Sequence, residues 1–235
     1  MKNLCIIPAR GGSKRIPRKN IIDFCGKPLI AYSIKNALNS GVFESVVVSS
    51  DDEEILQVAS NFGAKVLLRE KELSDDYSSS TKVIQSVIQK IGQAYENICC
   101  LYATAPLINA KILQNAYEEF IKGAFKFLLS ATEFDYPIQR AFYLDDEKRI
   151  YMFDESKYFA RSQDLKRAYH DAGAFYFGKK TAWLEEDFIM FKPHSSVYLL
   201  PRNLVCDIDT PQDLEFAKRL FILNKDFNEN SHSCG

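Results

Sequence analysis

A short apolar run that opens into a loop rich in glycine and positive charge limits the possible folds more than any other part of this chain. Residues 4–7 are all apolar and favour a buried strand. The loop that follows contains two glycines and five cations, which are Arg10, Lys14, Arg15, Arg18 and Lys19. Glycine lets the backbone approach a ligand and expose its N–H groups. Because crowded cations need solvent or an anion, the stretch predicts a polyphosphate site.

Other interpretations of this loop are weaker. A Walker A loop needs a second glycine directly before its lysine, whereas this chain has Gly11, Gly12, Ser13 and Lys14 in succession. A Rossmann G-x-G-x-x-G motif is absent as well. A solvated surface turn remains the alternative, and the anion-binding loop is favoured over it.

Apolar segments alternate with amphipathic segments along the first 131 residues. Strands are predicted at residues 45–49, 65–68, 98–102 and 125–131, with helices between them and Asp51 as a helix cap. Ser80 or Thr81 is expected to cap the helix near residues 84–91, and further strands are predicted at residues 169–177, 196–200 and 204–206. This rhythm favours an α/β fold, with a Rossmann-like, mostly parallel sheet covered by helices on both faces. Ligands of such sheets lie beyond the carboxyl ends of the strands, where the cationic loop and Arg69 fall.

Composition restricts the partners. The net charge is −1, so no general attraction to nucleic acid is expected. No apolar run reaches the roughly 20 residues of a membrane helix, and no membrane partner is expected. The six cysteines lack C-x-x-C spacing and the three histidines are far apart. The sequence therefore predicts a reduced, cytoplasmic protein without structural zinc.

Two carboxylates near the carboxyl terminus suggest a metal site. Asp207 and Asp209 are two residues apart in an extended segment, so both side chains are expected on one face. Paired carboxylates suit Mg²⁺, which is bound by oxygen ligands and substrate phosphates. Acidic residues are also common at a helix start, and that alternative explains Asp213 better than Asp207.

The regular alternation stops between residues 133 and 169. This segment has no clean period but many aromatic residues, which favours packing against another surface over a floppy insertion. We predict one domain over residues 1–224, with 133–169 inserted as an arm, and a frayed tail over residues 225–235.

Several motifs resemble those of the CMP-sialic acid synthetase family, the acylneuraminate cytidylyltransferases that activate acidic sugars. Residues 9–20 fit the family pattern A-R-x-x-S-K-x-x-x-x-K-N, and residues 207–214 fit D-I-D-T-x-x-D-L. The resemblance covers nearly the whole chain and implies a nucleotide-diphospho-sugar transferase fold. It also implies that the arm packs against a second subunit, which predicts a homodimer.

The resemblance implies roles for individual residues. The positions matching nucleotide contacts are Pro8, Ala9, Arg10, Gly11, Gly12, Ser13, Lys14, Lys19, Asn20, Arg69, Ser78 and Ser80. The catalytic positions are Arg10, Lys19, Asp207 and Asp209, and the two aspartates would also bind Mg²⁺.

The positions expected to contact the acceptor depart from the common sialic acid pattern. They are Tyr102, Thr104, Gln139, Arg140, His170 and Asp171. Tyr102 stands where the family has glutamine, and residues 170–172 replace its arginine and asparagine. Residues 136–141 are most similar to the pseudaminic acid branch of the family.

The resemblance implies a cytidylyltransferase that joins CTP to a nine-carbon α-keto acid sugar, and the departures together with residues 136–141 place pseudaminic acid first among the candidates. Legionaminic or N-acetylneuraminic acid is the alternative acceptor. An enzyme that activates the eight-carbon sugar Kdo is the next alternative. The loop of such enzymes carries S-T-R-L-P, whereas this chain has S-K-R-I-P at residues 13–17. A nucleotide-sugar binder without activity is the least favoured, because Lys19, Asp207 and Asp209 are retained.

Overall fold

Seven strands of the chain form one sheet, and helices pack on both of its faces. The computed structural model describes residues 2–73, 79–186 and 188–230. The strands are β1 (Asn3–Pro8), β2 (Asp23–Phe24), β3 (Lys27–Pro28), β4 (Ser45–Ser50), β5 (Lys65–Leu68), β6 (Asn97–Leu101), β7 (Phe127–Glu133), β8 (Phe142–Leu144), β9 (Ile150–Met152), β10 (Tyr169–Lys179) and β11 (Ser195–Leu199). The helices are α1 (Leu29–Asn39), α2 (Glu53–Asn61), α3 (Ser80–Ile91), α4 (Ala110–Gly123), α5 (Lys180–Trp183) and α6 (Pro211–Asn230).

The strand order in the main sheet is β11-β7-β10-β6-β1-β4-β5. Neighbouring strands are parallel except at β10, which runs antiparallel to both β6 and β7. The prediction of a mostly parallel α/β sheet is therefore confirmed. Because β10 is reversed, its first residues lie at the same edge as the carboxyl ends of β1, β4, β5 and β6.

The alternation of side chains along β1 explains why both faces of the sheet are covered. Leu4 and Ile6 pack in a core with α3 and Trp183, whereas Cys5 and Ile7 pack in a second core with α1, α2 and α4. All four side chains are fully buried. A third cluster joins α6 to the start of α1 and fixes the segment that carries the two aspartates.

Some local predictions are corrected by the structure. Asp52, not Asp51, caps α2 by accepting a hydrogen bond of 3.0 Å from the Ile55 N–H. Residues 204–206 were predicted as a strand, but residues 202–204 form a 3₁₀ turn. The helix α6 covers Pro211–Asn230, and the frayed tail over residues 225–235 stays a prediction.

The arm over residues 133–169 leaves the sheet at the end of β7 and returns into β10. It contains a small hairpin, β8 with β9, and short 3₁₀ turns. Its aromatic side chains are open to solvent within this chain; Tyr136 is 82% exposed and Phe159 is 91% exposed. Within the described ranges, no helix is both long enough and apolar enough to cross a membrane.

Candidate active site

A cleft of about 710 Å³ lies at the carboxyl edge of the central strands. Its walls come from the cationic loop after β1, the end of β5, the start of α3, the end of β6 and the segment before α6. Of the predicted nucleotide contacts, those lining the cleft are Pro8, Arg10, Ser13, Lys14, Lys19, Asn20, Arg69 and Ser80. Tyr102, Thr104, Asp207 and Asp209 line it as well.

Lys19 joins the cationic loop to the segment that carries the aspartates. Its Nζ donates to the Ile208 carbonyl oxygen at 2.6 Å and lies 3.2 Å from Asp209 Oδ1. The guanidinium of Arg15 lies 2.8 Å from Asp209 Oδ2. An ammonium group has three N–H donors, so Lys19 keeps one for a ligand in the cleft. The arrangement brings positive charge and carboxylate oxygens to one place.

Asp207 differs from Asp209 in its surroundings. Within the described residues its carboxylate has no hydrogen bond or ion pair. Partial desolvation raises the pKa of the Asp207 carboxyl, and the negative charge of Asp209 raises it further, while Lys19 and Arg15 act in the opposite direction. A carboxylate in this position gains from a cation that binds beside it.

These two aspartates fit a magnesium ion. The described residues contain no cluster of three or more histidine, cysteine or acidic side chains that could enclose a metal. Magnesium, however, is usually held by one or two carboxylates, with water and substrate phosphates as its other ligands. The donors that Asp207 and Asp209 present to the cleft are of this kind.

Arg69 forms the buried corner of the cleft at the end of β5. Its Nη2 donates to the Ser49 carbonyl oxygen at 2.6 Å, and the side chain is almost completely buried. Burial lowers the pKa of the Arg69 guanidinium, and nearby Arg10 lowers it further, although Asp51 acts against both. The backbone contact fixes one side of the guanidinium, and the group borders the cleft.

The backbone of the cationic loop is bound to its surroundings. Asn20, which is buried, donates from Nδ2 to the Arg10 carbonyl oxygen at 2.9 Å. The Gly11 N–H donates to Asp51 Oδ1 at 3.0 Å. The Gly11 N–H is therefore used within the chain. Ala9, Gly11 and Gly12 do not line the cleft.

Tyr102 lines the cleft directly after the end of β6. Its hydroxyl donates to Ser80 Oγ at 3.3 Å, and its ring centroid lies 5.5 Å from that of Tyr176. Burial raises the pKa of Tyr102 to about 12. The Tyr176 hydroxyl in turn donates to Asp171 Oδ2 at 2.6 Å. Hydrogen bonds therefore fix both tyrosine hydroxyls.

The other positions predicted for the acceptor lie outside the lining of the cleft. Gln139 donates to the Lys166 carbonyl oxygen at 2.8 Å within the arm, and Arg140 is exposed. The His170 ring packs against Phe134, and Asp171 accepts from Gly173 N–H at 2.9 Å. Ser78 lies outside the described residues.

Five residues of the lining were absent from the predicted site: Arg15, Leu73, Ser79, Val83 and Ala103. Arg15 could have been found, because it belongs to the same cationic loop. Ser79 caps α3 through a 3.4 Å hydrogen bond from the Lys82 N–H, where Ser80 or Thr81 was expected to do so. Leu73 and Val83 carry no chemical signal in sequence, and only the fold brings them to the cleft.

Comparison with known proteins agrees with this geometry. A family model described as cytidylyltransferase matches residues 4–232. Pseudaminic acid cytidylyltransferase of Campylobacter jejuni is 69% identical over 95% of this chain and 98% of that protein. N-acylneuraminate cytidylyltransferase of Escherichia coli is 34% identical over 92% of this chain and 51% of that protein.

Solved structures share the fold. CMP:2-keto-3-deoxy-manno-octonic acid synthetase, solved with CTP, superposes with a TM-score of 0.72 at 18% identity, over 95% of this chain and 100% of that one. A 4-diphosphocytidyl-2C-methyl-D-erythritol synthase from Anaerococcus prevotii gives 0.62 at 13% identity, over 94% and 98%. The family model spans nearly the whole sequence, and so does the alignment with the Campylobacter protein; this chain belongs to the cytidylyltransferase family.

Proposed function

We propose that this protein transfers CMP from CTP to pseudaminic acid, forming CMP-pseudaminic acid and pyrophosphate. The observation that carries the proposal is the cleft in which a cationic loop faces two carboxylates. The acceptor follows from the 69% identity to a protein named pseudaminic acid cytidylyltransferase.

The triphosphate of CTP binds along the cationic loop. Arg10, Lys14 and Lys19 line this part of the cleft and neutralise the charge of the phosphates. The cytosine binds at the other end, near Arg69 and Ser80. An arginine that is already fixed by the Ser49 carbonyl supports base recognition, because its remaining N–H donors have a defined direction.

Asp207 and Asp209 would hold Mg²⁺ at this end of the cleft. When bound, it neutralises phosphate charge and draws electron density from the phosphorus. The residues of the chain supply the rest of the arrangement. Lys19 orients Asp209 through one of its carboxylate oxygens. Arg15 pairs with the other oxygen at 2.8 Å, so both oxygens of Asp209 are oriented by cations of the loop.

The reaction is an in-line displacement at the α-phosphorus of CTP. The anomeric hydroxyl of the sugar forms the new oxygen–phosphorus bond, and the bond to the β-phosphate oxygen breaks. Pyrophosphate leaves with the electron pair, and the hydroxyl proton passes to solvent or to a nearby carboxylate. Such reactions depend mainly on positioning and charge neutralisation.

The acceptor lies against the wall that contains Tyr102 and Thr104. Gln139, Arg140, His170 and Asp171 belong to the arm or to the start of β10 and lie outside this cleft. We propose a homodimer in which the arm of one copy reaches the site of the other. The exposed aromatic residues of the arm support this, because large apolar side chains are rarely left open to water in groups.

Location remains a prediction. The five cysteines within the described residues are free thiols, which is compatible with the expected cytoplasmic location.

The test is pyrophosphate release from CTP with a panel of acceptors under saturating CTP. The panel contains pseudaminic, legionaminic and N-acetylneuraminic acids and Kdo. The highest kcat/KM is expected for pseudaminic acid. If another nine-carbon sugar has the highest kcat/KM, the proposed reaction stands but its acceptor is different. If Kdo has the highest kcat/KM, the acceptor is not a nine-carbon sugar. No release with any sugar would overturn the enzymatic proposal.

A further inference from the structure

One cation of the loop behaves differently from the other four. Arg10, Lys14, Arg15 and Lys19 line the cleft, but Arg18 does not. The guanidinium of Arg18 instead pairs with both Asp52 and Glu54 at the start of α2. A second contact joins its Nη2 to Asp52 Oδ1 at 3.2 Å. Arg18 is therefore bound to the start of α2, and it does not line the cleft.

Asp52 holds Arg18 from a rigid position. Its Oδ1 accepts from the Ile55 N–H at 3.0 Å, and its own N–H donates to Ser50 Oγ at 3.1 Å. Its side chain is 17% exposed, against 66% for Glu54. Burial acts to raise the pKa of the Asp52 carboxyl, but hydrogen bonds from Arg18 and the Ile55 N–H outweigh it and hold the pKa below its ordinary value.

The loop backbone is shaped to reach this contact. Arg18 has φ 56°, in the left-handed region that non-glycine residues seldom adopt. At Gly11, an added Cβ would lie 2.6 Å from Asp52 Oδ2, so only glycine fits beside this carboxylate. The neighbouring Asp51 accepts the Gly11 N–H at 3.0 Å. The junction of β4 and α2 thus holds the loop near both of its ends.

We propose that Arg18 is a positioning residue, whose ion pairs with Asp52 and Glu54 hold residues 10–19 in their binding shape before the nucleotide arrives. Arg10, Lys14, Arg15 and Lys19 bring four positive charges to one cleft, and Asp209 offsets part of their mutual repulsion through its ion pairs with Arg15 and Lys19. The ion pairs of Arg18 hold the loop in place against the remaining repulsion while no nucleotide is bound. Because a preorganised loop is already ordered, binding does not have to overcome the free-energy cost of ordering it.

The first test does not depend on any substrate. Trypsin cleaves after Lys14 and Arg15, so its cleavage rate in the nucleotide-free protein reports how well the loop is held. Asp52→Asn leaves every cleavage site and keeps a good helix cap, while it removes the charge that pairs with Arg18. Glu54→Gln also weakens the pairing. Glu53→Gln is the matched control, because Glu53 lies in the same helical turn.

Faster cleavage in Asp52→Asn and Glu54→Gln than in Glu53→Gln and wild type is expected. Equal rates in all four proteins would overturn the inference. The test also separates the inference from the proposed function on which it rests. A wild-type protein that fails to use CTP defeats the proposed function whatever the cleavage rates, whereas equal cleavage in a protein that uses CTP defeats only the positioning role.

The second test is steady-state kinetics in CTP. Asp52→Asn and Arg18→Asn should each raise KM for CTP about fivefold or more and leave kcat within about a factor of two, because the cost falls on binding. Asparagine tolerates the left-handed backbone at position 18. The KM for the acceptor should not change at saturating CTP.

The double variant decides whether the two residues act together. If Arg18 acts through Asp52, then Arg18→Asn should add little to the KM of Asp52→Asn. If the increases in KM for CTP of the two single variants multiply in the double variant, the inference is overturned. A fall in kcat at unchanged KM would also overturn it, because it would mean that Arg18 contacts the reacting phosphates. If Arg18→Asn does not fold, the comparison of Asp52→Asn and Glu54→Gln with Glu53→Gln decides alone.

Discussion

Lys19 Nζ lies 3.2 Å from Asp209 Oδ1, although 190 residues separate them in the chain. One residue belongs to the loop after the first strand, and the other precedes the last helix. Their contact means that the cationic loop and the acidic segment form one site. A change at Asp209 is therefore expected to disturb both the proposed metal site and the orientation of Lys19.

The first prediction concerns the two aspartates. Asp207→Asn and Asp209→Asn should each lower turnover by about 100-fold or more, because each removes a charged oxygen ligand for Mg²⁺. The measurement is Mg²⁺-dependent pyrophosphate release at saturating CTP and acceptor. Asp23→Asn, at the exposed position of strand β2, is the control. Near-normal turnover in both site variants would reject the metal site.

The second prediction concerns stability. The folded-state pKa of Asp207 is raised, so the folded protein holds the proton more tightly than the unfolded chain does. The carboxyl contributes most to stability below its ordinary pKa, and this contribution is lost as pH rises through the folded value. At neutral pH its charge therefore disfavours folding.

Asp207→Asn should raise Tm at pH 7 without divalent cations, and the difference from wild type should shrink in acid. Thermal unfolding followed by circular dichroism at pH 4 and pH 7 measures this. A lower Tm at pH 7 would show that the carboxylate makes a stabilising contact.

The third prediction concerns nucleotide choice. Wild type should prefer CTP to UTP and ATP, and Arg69→Lys should raise KM for CTP about tenfold and weaken the preference for CTP, since lysine lacks a planar group with fixed donors. The same assay with the three nucleotides measures both. Comparable rates with UTP or ATP in the wild type would remove the assignment to cytosine.

The regular parts of the fold could be predicted from the sequence, because alternating periods encode them directly. The apolar run at residues 4–7 and the buried strand at 45–49 became neighbours in the sheet, with Ile6 opposite Val47. The direction of β10 could not be predicted. It depends on how the arm returns to the sheet, and a single apolar segment has the same pattern in either direction.

The site was predictable where a residue's chemistry is distinctive. Arg10, Lys19 and Asp209 carry charge in short motifs, and all three line the cleft. Asp52 could not be preferred to Asp51 as the helix cap from the sequence, because the two residues are adjacent and chemically alike. Asp51 accepts a hydrogen bond from the Gly11 N–H, whereas Asp52 accepts one from the Ile55 N–H. Only the folded backbone determines which carboxylate meets which N–H group.

The fourth prediction concerns the arm. Light scattering should give twice the chain mass of 26.9 kDa for the wild type. Phe153→Ser combined with Phe159→Ser should give a monomer with reduced turnover, because these side chains are 71% and 91% exposed in a single chain and need a partner surface. Phe216→Ser, at 55% exposure on α6, is the matched control and should remain a dimer. A fully active wild-type monomer would defeat both the dimer and the shared site.

The last prediction concerns the acceptor. Tyr102 presents an aromatic ring to the cleft, and its hydroxyl stays protonated in ordinary assays because burial raises its pKa to about 12. That hydroxyl is already bonded to Ser80, which leaves the ring as the main surface for the sugar. An aromatic wall pairs poorly with an extra hydroxyl and accepts a methyl group well.

Pseudaminic acid ends in a methyl group where N-acetylneuraminic acid has a hydroxyl, so Tyr102→Gln should shift the ratio of their kcat/KM values toward N-acetylneuraminic acid by about tenfold. Tyr102→Phe is the matched control, because it keeps the ring and should keep the preference of the wild type. Rates with both sugars at saturating CTP measure the ratio. An unchanged ratio in Tyr102→Gln would mean that the sugar is selected elsewhere, and the residues of the arm would then be the first to examine.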